Sequence, residues 1–288
     1  MFSRCFVLIV AMVLPFAASA TNGARHLSRE ELIALAPSPD IRPTFDAGGQ
    51  YSSGGIGILI YEGVNAMDAL GPYQTFSSAG LRPMLISASK DAQGNYKSVI
   101  TSNSGMQMTA HRTMANTTNL EVLVVPGGAF ETAQLATNTE VLNWIKDIDR
   151  NTLWTTSVCT GSWVLGAAGL LQGKKATSNW YHADELLAHF GAIPKSRQRY
   201  VFDGKIITGA GVTAGIDMAL ALIKTVFKND LNNGRDYTQA IMLELQYDPN
   251  PPVKGGSPEK TDPVVFDAMQ WMYDYFGLAD LVKNIPIQ

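Results

Sequence analysis

Cys159 is the side chain in this sequence best placed to do covalent chemistry. Its segment reads Thr155-Thr156-Ser157-Val158-Cys159-Thr160-Gly161-Ser162, with an apolar, β-branched run before it and helix-forming residues after it. A reactive side chain between a strand and a helix, with glycine two positions later, is typical of a nucleophile elbow. The following helix N-terminus favours a thiolate, so the pattern predicts a lowered pKa for the thiol. The segment alone leaves a buried structural cysteine open as the alternative.

Two other features follow apolar runs in the same way. Asp68 comes after the run 56–61, and Gly127-Gly128 follows the run 121–125. Sites in parallel sheets gather at the carboxyl ends of the strands, so we expect both features to lie near Cys159. The alternative for Asp68 is a helix N-cap, and the alternative for the glycines is a tight turn.

Strand patterns alternate with helix patterns along most of the chain. Strands are predicted at 56–61, 83–88, 99–101, 106–108, 121–125 and 153–158, and a hairpin at 200–208 with Asp203-Gly204 at its turn. Helices are predicted at about 67–78, 140–150, 160–171, 214–227, 237–247 and 264–276. This alternation predicts an α/β fold, a three-layer α/β/α sandwich around a mostly parallel sheet.

Length and composition set the broad class. The 288 residues, 46% of them hydrophobic, are enough for one large domain with a substantial core. The net charge is −3 and there is no long basic run. Nothing in the charge pattern therefore indicates nucleic acid or an anionic membrane surface as a partner.

The N-terminus has the pattern of a secretory signal peptide. Arg4 precedes an apolar run at 6–17, and Ala18-Ser19-Ala20 fits the small-x-small cleavage rule. We therefore expect residues 1–20 to be a signal peptide, 21–54 a lead-in or linker, and 55–288 the globular domain. The apolar run is short and lacks a basic stop-transfer flank, which predicts a secreted or periplasmic protein without stable membrane insertion after cleavage.

Cleavage after Ala20 would remove Cys5 and leave Cys159 as the only thiol. A single thiol forms no intramolecular disulfide and cannot build a cysteine-based metal site. In an oxidising compartment, such a thiol indicates a residue kept for chemistry or one shielded by burial.

Several motifs together resemble the ThiJ/PfpI superfamily, which has the flavodoxin-like fold of class I glutamine amidotransferases. The chain is most similar to the isonitrile (isocyanide) hydratase branch. The resemblance spans about residues 55 to 260, and its main motifs are Asn65-Ala66-Met67-Asp68-Ala69-Leu70-Gly71-Pro72, Val124-Val125-Pro126-Gly127-Gly128, Cys159-Thr160-Gly161-Ser162, Gly211-Val212-Thr213-Ala214-Gly215-Ile216-Asp217 and Glu244-Leu245-Gln246-Tyr247-Asp248-Pro249.

The resemblance implies a role for each site residue. Cys159 would be the nucleophile and Asp68 the acid/base carboxylate beside it. Thr160 would orient the site through its hydroxyl and backbone N–H, and Gly128 would supply a second N–H to the reacting atom. The resemblance implies no cofactor or metal, a small-molecule substrate and a homodimer.

Gly127, Asn179, Trp180 and His182 are expected to line the pocket. The chain departs from its relatives at two of the site positions. Some relatives carry His where Thr160 stands, and relatives of the hydratase branch often carry His where Asn179 stands. Asn179 can donate a hydrogen bond but cannot carry a proton at neutral pH.

The expected function is addition of water to a small reactive substrate. The favoured substrate is an isonitrile, which becomes an N-substituted formamide. The proposed chemistry requires a partly desolvated Asp68 near the Cys159 sulfur, so the pKa of Asp68 is expected to be raised. Two alternatives stay open: a glyoxalase or deglycase acting on reactive aldehydes, and a non-catalytic redox-sensing or ligand-binding domain.

Overall fold

A computed structural model describes residues 55–228 and 234–288. The expected signal peptide and lead-in lie outside these residues. The strands are β1 (Gly55–Ile60), β2 (Pro83–Ser87), β3 (Val99–Thr101), β4 (Gln107–Thr109), β5 (Arg112–Thr113), β6 (Leu120–Val125), β7 (Trp154–Val158), β8 (Lys175–Ala176), β9 (Ile193–Pro194), β10 (Tyr200–Asp203) and β11 (Ile206–Gly209). The helices are α1 (Ala66–Ser78), α2 (Phe130–Leu135), α3 (Thr139–Asp149), α4 (Gly161–Ala167), α5 (Ala183–His189), α6 (Ala214–Val226), α7 (Arg235–Glu244), α8 (Pro263–Tyr275) and α9 (Leu278–Lys283).

Seven strands form the central sheet in the order β10-β11-β7-β6-β1-β2-β5. All neighbouring pairs are parallel except β10 and β11, which form an antiparallel edge hairpin. Strands β1 and β2 are nearly continuous apolar runs because both of their faces are covered; in β1, Ile58, Leu59 and Ile60 are fully buried. The mostly parallel sheet expected from the sequence is confirmed.

The helices fall into two groups that cover the two faces of the sheet. Helices α1, α6 and α7 pack together, whereas α2, α3, α4, α5 and α9 contact one another. Amphipathic α3 illustrates the reason: it buries Val141, Leu142, Ile145 and Ile148, which recur at helical spacing. This arrangement is the three-layer α/β/α sandwich.

The sequence patterns located the long elements well and the short ones poorly. The two-residue strands β5, β8 and β9 and the helices α2, α5 and α9 were not predicted, because six or seven residues carry too little periodicity. Helix α4 ends at Ala167 rather than near 171, and Gly169 follows with a φ of +74°. In the hairpin, Asp203 pairs with Ile206, so the turn residues are Gly204 and Lys205, one position later than predicted.

Helix α8 packs through one stripe and exposes the others. Phe266 and Tyr273 contact Trp180, with ring centroids 5.6 and 6.0 Å away. The exposed stripes carry Val264, Val265, Met269, Trp271, Met272 and Tyr275. Helix α8 therefore covers Trp180 with an aromatic stripe and presents apolar side chains to solvent. Among the described helices, none combines the length and apolarity needed to cross a membrane.

Candidate active site

The three features expected at the carboxyl ends of the strands meet in one place. Strand β6 lies between β1 and β7, so Gly127 after β6 lies next to both Asp68 and the Cys159 turn. The Gly127 N–H donates to Asp68 Oδ2 at 3.0 Å. A Cβ placed on Gly127 would lie 2.7 Å from the backbone nitrogen of Thr160. The parallel sheet thus brings together residues about 90 positions apart in the sequence.

Cys159 lies on the predicted nucleophile elbow. Its φ is +59°, in the left-handed region that residues with a Cβ rarely adopt. Its N–H donates to the Gly209 carbonyl at 3.0 Å, which ties the turn to β11. Gly161 is required here because a Cβ at that position would lie 2.0 Å from the Val125 carbonyl oxygen. The strained turn is therefore held by its neighbours, as strained functional residues usually are.

Two serine hydroxyls hold the carbonyl side of the turn. Ser162 Oγ and Ser178 Oγ lie 3.2 and 3.3 Å from the Cys159 carbonyl oxygen and 2.7 Å from each other. All three residues are buried. Sequence reasoning missed both serines, because nothing in their spacing indicates that they share an acceptor. They stabilise the backbone of the elbow rather than the sulfur.

Asp68 is a buried carboxylate inside α1. The helix is capped by Asn65, whose side chain accepts from the Met67 N–H, so the N-cap alternative for Asp68 is wrong. Asp68 is fully buried, and Oδ1 has no hydrogen-bond partner of ordinary geometry among the described residues. Burial raises the pKa of Asp68 to about 6, while the Gly127 N–H and the Cys159 thiol oppose the rise. This agrees with the raised pKa expected from the chemistry.

The Cys159 thiol has a raised pKa, so the lowered pKa expected from the helix N-terminus is wrong. Burial is the largest cause, since only 7% of the residue is exposed, and the negative charge of Asp68 adds to it. The Thr160 N–H and the Asn179 side chain donate to the sulfur and lower the pKa, but by less. The pair is therefore a thiol beside a carboxylate at neutral pH, and Asp68 is placed to accept the thiol proton.

Asn179 is held with its amide nitrogen on the sulfur. Nδ2 lies 3.4 Å from Cys159 Sγ, and Oδ1 accepts from the Tyr181 N–H at 3.0 Å. Because a backbone N–H can only donate, it fixes the oxygen and leaves the NH₂ group facing the thiol. Asn179 is thus a hydrogen-bond donor to the Cys159 sulfur.

Thr160 contributes to the site through its backbone, while its hydroxyl points elsewhere. The Thr160 N–H donates to the sulfur. Its Oγ1 accepts from the N–H groups of Gly128 and Ala129 at 3.1 and 3.2 Å and donates to Thr132 Oγ1 at 3.0 Å. The Gly128 N–H is therefore engaged by Thr160. Its predicted role toward a reacting atom stays a prediction and would require this bond to be exchanged.

Trp180 and His182, expected in the pocket, lie along the segment that follows Asn179. Trp180 is half-buried against α8. His182 Nε2 lies 2.9 Å from Asp274 Oδ1, and Nδ1 lies 3.4 Å from Glu185 Oε2. None of the His182 hydrogen bonds in the described structure reaches Cys159 or Asp68. The structure thus places this histidine in a polar cluster outside the thiol–carboxylate pair.

Gly127→Ala is expected to disable the site while the fold persists. The added Cβ would lie 2.5 Å from Thr160 Oγ1 and 2.9 Å from Asp68 Oδ2, so one of these groups must move. We expect a loss of about 1–3 kcal/mol in the free energy of unfolding. Because small misplacements of reacting groups are costly, turnover should fall roughly 100-fold. Thermal unfolding and turnover measure the two effects.

Gly211→Ala is the matched control for that substitution. A Cβ on Gly211 meets nothing within 4 Å, and Gly211 does not need a positive φ. Turnover should therefore be unchanged in Gly211→Ala. Equal activity in the two variants would show that Gly127 does not face the reacting groups.

Within residues 55–228 and 234–288, no group of three or more His, Cys, Asp or Glu side chains is arranged to hold a metal ion. The residues that converge on the site are a thiol, a carboxylate, hydroxyls and amides. An elbow cysteine beside a buried carboxylate thus lies at the carboxyl ends of the parallel strands, where the sites of such sheets form.

The chain belongs to the DJ-1/PfpI family, whose model matches residues 55–225. It is 39% identical over 216 residues to an isonitrile hydratase from Pseudomonas putida, which covers 74% of this chain and 86% of that protein. The fold is similar to the crystal structure of a ThiJ/PfpI family protein from Pseudomonas syringae, with a TM-score of 0.70 and 35% identity over 87% of this chain and 99% of that one. The transcriptional regulator CdhR from Pseudomonas aeruginosa is 37% identical over 83 residues, 29% of this chain and 25% of the regulator.

Proposed function

We propose that this protein is a cysteine-dependent hydratase that adds water to an isonitrile and releases an N-substituted formamide. The observation that carries the proposal is the pairing of a protonated, buried Cys159 with a buried Asp68 whose Oδ1 has no ordinary hydrogen-bond partner in the described structure. The similarity to an isonitrile hydratase over most of both chains supports the choice of substrate. The similarity also supports an enzyme of this family.

In the first half of the proposed reaction, sulfur adds to the substrate. Asp68 takes the thiol proton, and sulfur attacks the terminal carbon of the isonitrile. The proton now on Asp68 is delivered to that carbon, which gives a thioimidate and restores the carboxylate. The Asn179 amide and the Thr160 N–H, which donate to the sulfur, stabilise the thiolate as it forms.

In the second half, water replaces sulfur. Asp68 removes a proton from water as the water oxygen attacks the thioimidate carbon, and it delivers this proton to the nitrogen. The carbon–sulfur bond then breaks, and the proton of the new hydroxyl passes through Asp68 to the sulfur. The formamide leaves, and the thiol and the carboxylate are restored. The net change is the addition of one water molecule, and the steps use only the thiol, the carboxylate and water.

The test is conversion of an aryl isonitrile to its formamide by the chain from Thr21 onward, with methylglyoxal as the competing substrate. Turnover of the isonitrile alone supports the proposal. Turnover of the aldehyde alone would assign the site to the glyoxalase alternative. Oxidation of Cys159 by peroxide without turnover of either substrate would assign it to the redox-sensing alternative.

We also propose that residues 1–20 are removed and that the mature protein is exported. The support is the charged, apolar and small-residue pattern of the N-terminus. Intact-mass measurement of protein from the periplasmic fraction should give the mass of a chain beginning at Thr21. A full-length mass in the cytoplasmic fraction would contradict the proposal.

The homodimer implied by the family resemblance is likewise a proposal. Sedimentation velocity of the purified protein distinguishes one chain from two. A species of twice the chain mass is the expected result.

A further inference from the structure

Three buried hydroxyls connect the elbow to Tyr61, which directly follows strand β1. Thr160 Oγ1 donates to Thr132 Oγ1 at 3.0 Å, and Thr132 Oγ1 lies 2.8 Å from the Tyr61 hydroxyl. The Tyr61 hydroxyl donates to the Pro126 carbonyl at 3.0 Å. Tyr61, Thr132 and Thr160 are all nearly inaccessible to solvent. No step of the proposed reaction uses Tyr61 or Thr132.

The direction of this chain is set at its two ends. At one end, Thr160 Oγ1 accepts N–H groups from Gly128 and Ala129, so its own proton is free to be donated to Thr132. At the other end, the Pro126 carbonyl can only accept. Since each hydroxyl has one proton, Thr132 must donate to Tyr61. The protons of the chain therefore run from Thr160 through Thr132 and Tyr61 to the Pro126 carbonyl.

The hydroxyl chain also closes a ring on a single backbone segment. It begins at the amides of Gly128 and Ala129 and ends at the carbonyl of Pro126. Gly127 lies between these anchors, and its N–H donates to Asp68 Oδ2. The hydroxyls thus hold both sides of the peptide unit that contacts the carboxylate.

We propose that Tyr61 and Thr132 are positioning residues for the Asp68–Cys159 pair. They hold segment 126–129, whose Gly127 N–H contacts Asp68, in place through the hydroxyl of Thr160. The inference rests on the proposed role of that pair in turnover. Alkylation of the thiol, however, reports on positioning without any substrate.

Thr132→Val removes the central hydroxyl at nearly constant volume. Segment 126–129 is then held less firmly, so the Gly127 bond to Asp68 loosens. The carboxylate, whose charge raises the pKa of the thiol, is then held less closely to the sulfur. We expect Cys159 alkylation by iodoacetamide at pH 8 to become several-fold faster. The acid limb of kcat/KM should move upward by about half a pH unit. Thr132→Ser keeps the hydroxyl and should restore the wild-type alkylation rate and the wild-type pH dependence of kcat/KM.

Thr155→Val is the matched control for loss of a buried threonine hydroxyl. Thr155 bonds to Thr152 and Asp149 at the other end of β7. The Thr155→Val variant should have a lower melting temperature, with an unchanged alkylation rate and an unchanged pH dependence of kcat/KM. If Thr132→Val does not fold, Tyr61→Phe removes one oxygen from the same chain and takes its place.

The outcomes separate the two proposals. If Thr132→Val or Tyr61→Phe has the same alkylation rate and the same pH dependence of kcat/KM as the wild type, the positioning role is wrong. Absence of isonitrile turnover in the wild type, with a shifted alkylation profile in Thr132→Val, would overturn the substrate assignment and leave the positioning role supported.

Discussion

Replacing Cys159 by alanine is expected to reduce isonitrile turnover to the uncatalysed background, a loss on the order of 10⁶-fold. The proposed reaction has no path around the sulfur, because sulfur forms the bond that converts the isonitrile carbon into a thioimidate. The measurement is formamide formation under single-turnover and steady-state conditions.

Alanine is the appropriate substitution because it leaves the strained backbone unchanged. Both residues carry a Cβ, so both experience the φ of +59° in the same way, whereas glycine would relieve the strain and alter the elbow. Cys159→Ser tests the same point, since a hydroxyl of similar shape is a poorer nucleophile. A circular dichroism spectrum like that of the wild type establishes that the fold is retained. Residual turnover above background in both variants would remove Cys159 from the mechanism.

Asp68→Asn is expected to change turnover and thiol reactivity in opposite directions. Turnover should fall by about 10²- to 10⁴-fold, the range typical of a lost general base. Alkylation of Cys159 at mildly alkaline pH should become faster, because the negative charge of Asp68 is one cause of the raised thiol pKa. Both rates falling together would mean that Asp68 only maintains the structure.

The wild-type pH profile follows from the same carboxylate. The pKa of Asp68 is about 6, and in the proposed reaction its ionised form accepts the thiol proton. The value of kcat/KM should therefore fall as the pH drops below about 6. In Asp68→Asn, kcat/KM should not show this fall at low pH. Asp149→Asn changes a carboxylate that pairs with Lys205 outside the site, so it should keep the fall.

The stability of Asp68→Asn gives an independent readout of the buried charge. The pKa of Asp68 is higher in the folded chain than the ordinary value of an unfolded chain, so the folded state binds the proton more tightly. That stabilisation is present at low pH and is lost as the pH rises through about 6. We therefore expect Asp68→Asn to melt about 5 °C higher than the wild type at pH 7.5 and at a similar temperature at pH 4.

The long elements and the elbow could be predicted because their signals are local. Apolar runs, helical spacing and the Cys-x-Gly pattern lie within a few residues of one another, and the structure reproduces each with small shifts of boundary. The convergence of Asp68, Gly127 and Cys159 could also be predicted, since parallel strands place their carboxyl ends at one edge. The short elements could not be, because a six-residue helix such as α2 is defined by what it packs against.

The sequence by itself determined the α/β class, the cysteine on the elbow and the three features that meet beside it. Only the tertiary structure decided the pKa values of these groups and the hydrogen bonds between them. The pKa of the Cys159 thiol rises because burial and the charge of Asp68 outweigh the nearby N–H donors, and burial is a property of the whole fold. The same holds for the Gly128 N–H, which Thr160 engages, and for the hydroxyl chain through Thr132 and Tyr61. Those contacts join residues 28 to 71 positions apart, and no local pattern in a sequence records a distance that folding alone creates.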